Sequence, residues 1–328
     1  MPAIVCPGQG SQTPGFLSPW LEVPGVGDRL DSFAEAAGTD LRTHGTTSDA
    51  DTIRDTAVAQ PLIVAASLVT LRAVLDGAEP HDVAHVTAGH SVGELAAAAV
   101  AGVLDDADAV ALVSRRARAM ADAAALEPTG MSAVVGGDPD EVARHLDELA
   151  LHPANVNGGG QLVAAGPLET LEALSESPPP RARVIPLQVA GAFHTPYMAP
   201  AHEAFSAVCA DWPAGDPRMT LLSDADGAPY PAADGAPHGR GRDVLTRIAD
   251  QVVAPVRWDL CQEWMAQAGV TGLLELAPAG VLTGLARRTL KGVETVAVRT
   301  PDDLQAAREL IAKHGRSSSP APTEPEVP

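Results

Sequence analysis

Short apolar runs and longer helix-forming stretches take turns along this chain. Ala3-Ile4-Val5-Cys6 has the character of a buried strand, stopped by Pro7-Gly8-Gln9-Gly10-Ser11-Gln12. Ala57 to Leu75 predicts a helix, with Pro61 early enough for a first turn to tolerate it. Ala84 to Ala88 predicts a strand, Glu94 to Ala101 a helix, and Asp105 to Ala125 another helix carrying Arg115, Arg116 and Arg118. Further on, Met198 to Trp212, Asp243 to Val253, Trp258 to Ala268, Val281 to Leu290 and Asp302 to Ala312 predict helices. Thr220 to Ser223, Gly272 to Leu276 and Val293 to Val298 predict strands between them. Such alternation implies a parallel sheet with helices on both faces.

The segment 127–190 has a different rhythm. It predicts strand Met131 to Val135, a helix from Asp138 to Leu151, and a strand at Asn155-Val156-Asn157. A glycine turn, strand Gln161 to Ala165, helix Pro167 to Leu174 and strand Arg183 to Val189 complete it. That order, βαββαβ, is ferredoxin-like. The expected fold class is therefore α/β: an α/β-hydrolase-like core with a parallel sheet plus an inserted ferredoxin-like small subdomain. Residues 1–126 and 191–314 would form the large catalytic core and 127–190 the small subdomain. Residues 315–328, rich in proline and serine, would be a disordered tail.

Composition alters this picture in few places. Only 3% of the 328 residues are aromatic, so the core must be built of Leu, Val and Ala. The formal net charge of −20 argues against nucleic acid or an anionic membrane as partner. Any anionic ligand then needs a local arginine. Cys6, Cys209 and Cys261 are too far apart in sequence for a zinc site or disulfide framework and are expected as buried thiols. No basic segment followed by an apolar one opens the chain, so no secretory signal is expected. The longest apolar run, Leu95 to Leu104, is too short to span a bilayer. A cytoplasmic protein is the expectation.

The candidate chemistry centres on Gly89-His90-Ser91-Val92-Gly93, a G-x-S-x-G sequence between a strand and a helix. One reading makes Ser91 a nucleophile at a helix N-terminus, where the dipole favours an oxyanion. The other makes Ser91 and Glu94 an S-x-x-E capping box. A nucleophile needs a base. His44, His81, His145, His152, His238 and His314 lie in loops or on polar faces, and His90 points away from its neighbour in a tight turn. His194, at the junction that follows the last strand of the small subdomain, can face a cleft between the two units. A Ser, Asp, late-His triad fits poorly, because the late histidines are His238 and His314.

Five motifs occur in order: Pro7-Gly8-Gln9-Gly10-Ser11-Gln12, Gln60-Pro61, Gly89-His90-Ser91-Val92-Gly93-Glu94, Gly191-Ala192-Phe193-His194 and Pro255-Val256-Arg257-Trp258. With them the chain, from about residue 3 to 312, resembles the malonyl-CoA:acyl carrier protein transacylases and the related acyltransferase domains of polyketide synthases. The resemblance implies Ser91 as nucleophile and His194 as its base. It implies that the Gln251 carbonyl orients His194, and that the Gln9 and Val92 N–H groups form the oxyanion hole. Arg116 would hold the free malonyl carboxylate, with Gln60 and Asn157 polar groups near it. Gln60 has a plainer alternative, capping the helix that begins near Pro61. Phe193 would crowd a methyl on the substrate's α-carbon. Two motifs depart from the family pattern: Ala254 stands where asparagine usually precedes the proline, and Ala277-Pro278-Ala279-Gly280 replaces a Gly-Pro-Gly stretch.

The implied reaction is a ping-pong transfer from malonyl-CoA to the thiol of holo acyl carrier protein, for fatty acid or polyketide synthesis. It needs no metal and no cofactor, since a thioester is already activated. A monomer is expected. Arg115, Arg118, Arg181, Arg183, Arg287, Arg288 and Lys291 are candidates for docking an acidic carrier protein. The alternative is a serine hydrolase or editing thioesterase on the same fold.

Overall fold

The computed structural model describes residues 1–315. Beyond residue 315, the expected tail lies outside the described residues. In chain order the strands are β1 (Pro2–Cys6), β2 (Val86–Gly89), β3 (Thr129–Gly136), β4 (His152–Gly158), β5 (Gln161–Pro167), β6 (Ala182–Pro186), β7 (Thr220–Leu221), β8 (Gly272–Glu275) and β9 (Glu294–Ala297).

Five of them form a parallel sheet in the order β7-β2-β1-β8-β9. β1 lies at its centre, with Cys6 opposite Gly89 and Val5 opposite Glu275. Every residue of β1, β2 and β8 is buried. Helices cover both faces, so these strands read as continuous apolar runs rather than alternating ones. The carboxyl ends of β7, β2 and β1 leave the sheet side by side. Ligand sites of open parallel sheets lie at that edge.

The Thr56–Leu75 helix packs against the Gly93–Val100 and Asp106–Ala124 helices. It has 20 residues with a mean hydropathy of 1.8, long and apolar enough to cross a membrane, but 83% of that stretch is buried in the protein. Asp55 caps the helix by accepting the Ala57 N–H at 2.8 Å. Pro61 therefore sits past the first turn, inside the helix. Between residues 13 and 56, where no element is predicted above, helices Val26–Ala37 and Leu41–Thr46 form. The first lays Leu30, Phe33 and Ala37 into the core beside the Asp106–Ala124 helix.

The small sheet is antiparallel, ordered β4-β5-β3-β6. With helices Pro139–Glu148 and Leu168–Glu176 it gives the expected βαββαβ sequence. Val142, Leu146, Leu171 and Leu174 pack on Val134 and Ala164 as a separate core. β6 ends at Pro186, not at Val189. Leu187 still donates its N–H to the Met131 carbonyl, but Leu187 and Val189 then turn to line the central cavity. β4 meets the other unit through Val156, whose N–H bonds the Val256 carbonyl at 2.8 Å.

Candidate active site

The turn after β2 is glycine-flanked because the backbone passes too close to itself for side chains. A Cβ on Gly89 would lie 2.0 Å from the Gly93 carbonyl carbon, and one on Gly93 would lie 2.2 Å from the Cys6 oxygen. Ser91 between them has φ 54°, a left-handed conformation that a serine adopts only when held there. Its Oγ lies 2.7 Å from His194 Nε2. The S-x-x-E capping box does not form. Glu94 instead accepts the Asp224 N–H at 3.0 Å, and the Ser91 N–H goes to Asp224 Oδ2 at 2.6 Å. The helix that follows, Gly93–Val100, has no side-chain cap.

His194 also has a left-handed backbone, φ 63°. Its loop is tied down by Ala192, whose N–H donates to Thr129 Oγ1 at 3.0 Å. Thr195 Oγ1 donates to the Ala192 carbonyl at 2.6 Å. His194 Nδ1 lies 3.0 Å from the Gln251 carbonyl, at the C-terminal end of the Gly241–Asp250 helix. A carbonyl can only accept, so Nδ1 carries the proton and Nε2 offers its lone pair to Ser91. Burial, then the nearby Arg116 charge, push the His194 pKa down to about 3. The imidazole is neutral at physiological pH. His90 faces elsewhere: its Nε2 bonds Asn157 Oδ1 at 2.9 Å and its ring meets Trp258 edge-on.

Arg116 is 1% exposed. Its Nη1 donates to Gln60 Oε1 at 2.7 Å and its Nη2 to Ser91 Oγ at 3.3 Å. Burial lowers its pKa to about 10, which leaves it charged at neutral pH. Gln60 lies within its helix and caps nothing, since Asp55 does that. Arg115 and Arg118 are exposed on the same helix as Arg116.

A cavity of about 190 Å³ opens over Ser91, walled by Gln9, Gln60, Met120, Asn157 and Phe193. The Gln9 loop is pinned from below, with Gln9 Nε2 on the Arg54 carbonyl at 3.2 Å and Gln12 Nε2 on the Ile53 carbonyl at 3.1 Å. Among the described residues, the backbone N–H groups of Gln9 and Val92 have no acceptor. The two motif departures leave this geometry intact. Gln251 Nε2 bonds the Ala254 carbonyl at 3.1 Å, and Ser67 Oγ bonds the Ala277 carbonyl at 2.7 Å. All nine expected site residues thus converge on one cavity or its immediate support. Sequence reasoning missed Asp224. Its only trace was position, one residue past the Thr220 to Ser223 strand.

A neutral histidine bonded to a strained serine, with a guanidinium beside it and free N–H donors facing the same cavity, defines a serine-dependent acyl-transfer centre. The family profile described as "Acyl transferase domain" matches residues 3–307. The malonyl CoA-acyl carrier protein transacylase of Mycobacterium tuberculosis is 49% identical over 94% of this chain and 100% of its own length. That of Escherichia coli is 32% identical over 94% and 99%. Among solved structures, the M. tuberculosis transacylase gives a TM-score of 0.86 at 48% identity, covering 94% of this chain and 99% of its own. A malonyl-transacylase solved with its type II polyketide-synthase acyl-carrier protein gives 0.84 at 28% identity, covering 94% and 99%. The chain belongs to the acyl transferase domain family, among the malonyl CoA-acyl carrier protein transacylases.

Proposed function

We propose that this chain transfers a malonyl group from malonyl-CoA to the phosphopantetheine thiol of acyl carrier protein, through a malonyl ester on Ser91. The observation that carries the reading is the 2.7 Å Ser91–His194 contact with the charged Arg116 beside it. The names of its relatives support transfer rather than the hydrolase alternative.

In the first half-reaction, Ser91 Oγ attacks the thioester carbon while His194 Nε2 takes its proton. The Gln9 and Val92 N–H groups receive the negative charge that builds on the carbonyl oxygen. The carbon–sulfur bond breaks and the CoA sulfur takes the proton back from His194. In the second half, the pantetheine thiol gives its proton to His194 and attacks the malonyl ester. The carbon–oxygen bond breaks and Ser91 Oγ recovers the proton. The Gln251 carbonyl, at a helix C-terminus, favours the transient imidazolium.

Arg116, aligned by Gln60, grips the distal carboxylate of the malonyl group. An acyl group without that carboxylate leaves the guanidinium buried and unpaired. Phe193 restricts the α-carbon, and Asn157 offers a polar group to the same cavity while its Oδ1 meets His90 Nε2. The chain works as a cytoplasmic monomer without nucleic-acid or membrane partners, a reading supported by its net charge of −20. It divides into a large unit, 1–126 with 191–314, and a small one, 127–190, as the two separate sheets suggest. Fatty acid or polyketide synthesis receives the product.

Initial-rate kinetics with malonyl-CoA and holo carrier protein as varied substrates test this. Parallel double-reciprocal lines are expected. Intersecting lines, the mark of a ternary complex, contradict a covalent malonyl-enzyme.

A further inference from the structure

Behind the serine turn lies a buried pair of acids that the proposed chemistry does not use. Asp224 and Glu94 are 0% and 3% exposed. Asp224 arrives just after β7, next to β2 in the sheet, so it reaches the same edge as Ser91. Its carboxylate takes the Ser91 N–H at 2.6 Å, at the short end for a charge-assisted bond. Its own N–H is fixed by Glu94 at 3.0 Å. A chain of contacts therefore runs from the helix through Glu94 to the Asp224 backbone, then through the Asp224 carboxylate back to the Ser91 backbone.

Two consequences follow. Ser91 is left-handed, and the glycines beside its turn offer no side chain to hold it so. Among the described residues, the Asp224 bond is the one side-chain hydrogen bond to its main chain. It also occupies the Ser91 N–H, which leaves Val92 as the free donor of the turn facing the cavity. The charges around the pair agree. Burial pushes both carboxyls upward, most strongly for Glu94, whose second oxygen has no partner among the described residues. Facing them are Arg116, Arg247, Tyr230 and Cys261, each from a different segment. The Ser91 N–H and the Arg116 charge pull the Asp224 carboxyl back down against its burial.

The geometry points to Asp224 as a positioning residue for transacylation: its carboxylate locks the Ser91 backbone so that Oγ stays on His194 and the Val92 N–H stays free for the oxyanion. The inference rests on the reading of Ser91 as nucleophile.

The test compares wild type, Asp224→Ala and Asp224→Asn as full chains. Three quantities are read: melting temperature, Ser91 labelling by a fluorophosphonate probe, and pre-steady-state acylation by malonyl-CoA per folded enzyme. Misplacing a nucleophile by about 1 Å costs on the order of 10²-fold. Asp224→Ala is expected to slow both acylation and labelling by about 10- to 100-fold. KM for malonyl-CoA should stay nearly constant, and Asp224→Asn, which keeps an acceptor oxygen, should restore most of the rate. Wild-type acylation in Asp224→Ala overturns the inference, as does a loss confined to KM or an asparagine no better than alanine. If Asp224→Ala does not fold, Glu94→Ala tests the same chain of contacts one link back. A smaller fall in acylation rate at constant KM supports the role, and an unchanged rate overturns it. A wild-type enzyme that forms no adduct on Ser91 defeats the nucleophile reading itself, which separates the two failures.

Discussion

Ser91 and His194 stand at two junctions built alike and supported differently. Both are non-glycine residues with left-handed backbones, φ 54° and 63°. The serine junction is surrounded by charge, with Asp224 on its N–H, Glu94 behind it and Arg116 on its hydroxyl. The histidine junction is held by neutral groups: Thr129, Thr195 and the Gln251 carbonyl. Charge sits where the substrate's own carboxylate must be gripped. The base is tethered by neutral groups alone, and the Arg116 charge that reaches it keeps it neutral with its lone pair free.

The largest expected effects remove the junctions' reacting groups. His194→Ala should slow acylation of Ser91 by roughly 10²–10⁴-fold, the usual worth of a general base. A stopped-flow burst near the wild-type rate would move the base elsewhere. Next comes the charge. Arg116→Ala should cost malonyl transfer about 3 kcal/mol or more, the scale for breaking a buried ion pair, while acetyl transfer falls less. Equal losses for the two donors, read as kcat/KM, would remove Arg116 from substrate recognition.

Phe193→Ser belongs to the histidine side and should act by shape alone. It should shift the malonyl-to-methylmalonyl ratio by about 10-fold, near the 1–3 kcal/mol that a methylene-sized difference allows. Unchanged methylmalonyl turnover would make Phe193 simple packing.

The smallest effect is on stability, and it has opposite signs at the two junctions. His194 titrates near 3 when folded, below its ordinary value, so the unfolded chain binds the extra proton between about 6.5 and 3. Stability is lost as pH falls through that window, and His194→Gln should flatten the loss. Asp224 and Glu94 are shifted upward, so they lower stability as pH rises above the ordinary carboxylate range. Asp224→Asn should reduce that decline. Denaturant melts across pH would read both slopes, and slopes of the same sign at the two junctions would undo the contrast.

How far the sequence revealed this depends on the kind of signal. The nucleophile, base and arginine each sit in a local pattern, as do β1, β2 and the βαββαβ segment. Asp224 does not, because its partner is 133 positions away in sequence and one strand away in the sheet. Glu94 had the spacing of a cap, but burial made the Asp224 backbone its better partner. Leu187 still bonds the Met131 carbonyl past the end of β6, but Val189 keeps only the alternation of a strand, so periodicity overran its end. Between residues 26 and 37 the spacing of Val26, Leu30, Phe33 and Ala37 is helical, yet Gly25, Gly27 and Gly38 around it read as loop.

The most direct measurement is mass spectrometry of the protein after exposure to malonyl-CoA, followed by addition of holo acyl carrier protein. A malonyl adduct should appear on Ser91 and be absent from Ser91→Ala. It should then leave the enzyme and reappear on the carrier's phosphopantetheine. An unmodified Ser91, or an adduct released as malonate rather than passed to the carrier, would contradict a serine-borne malonyl transfer.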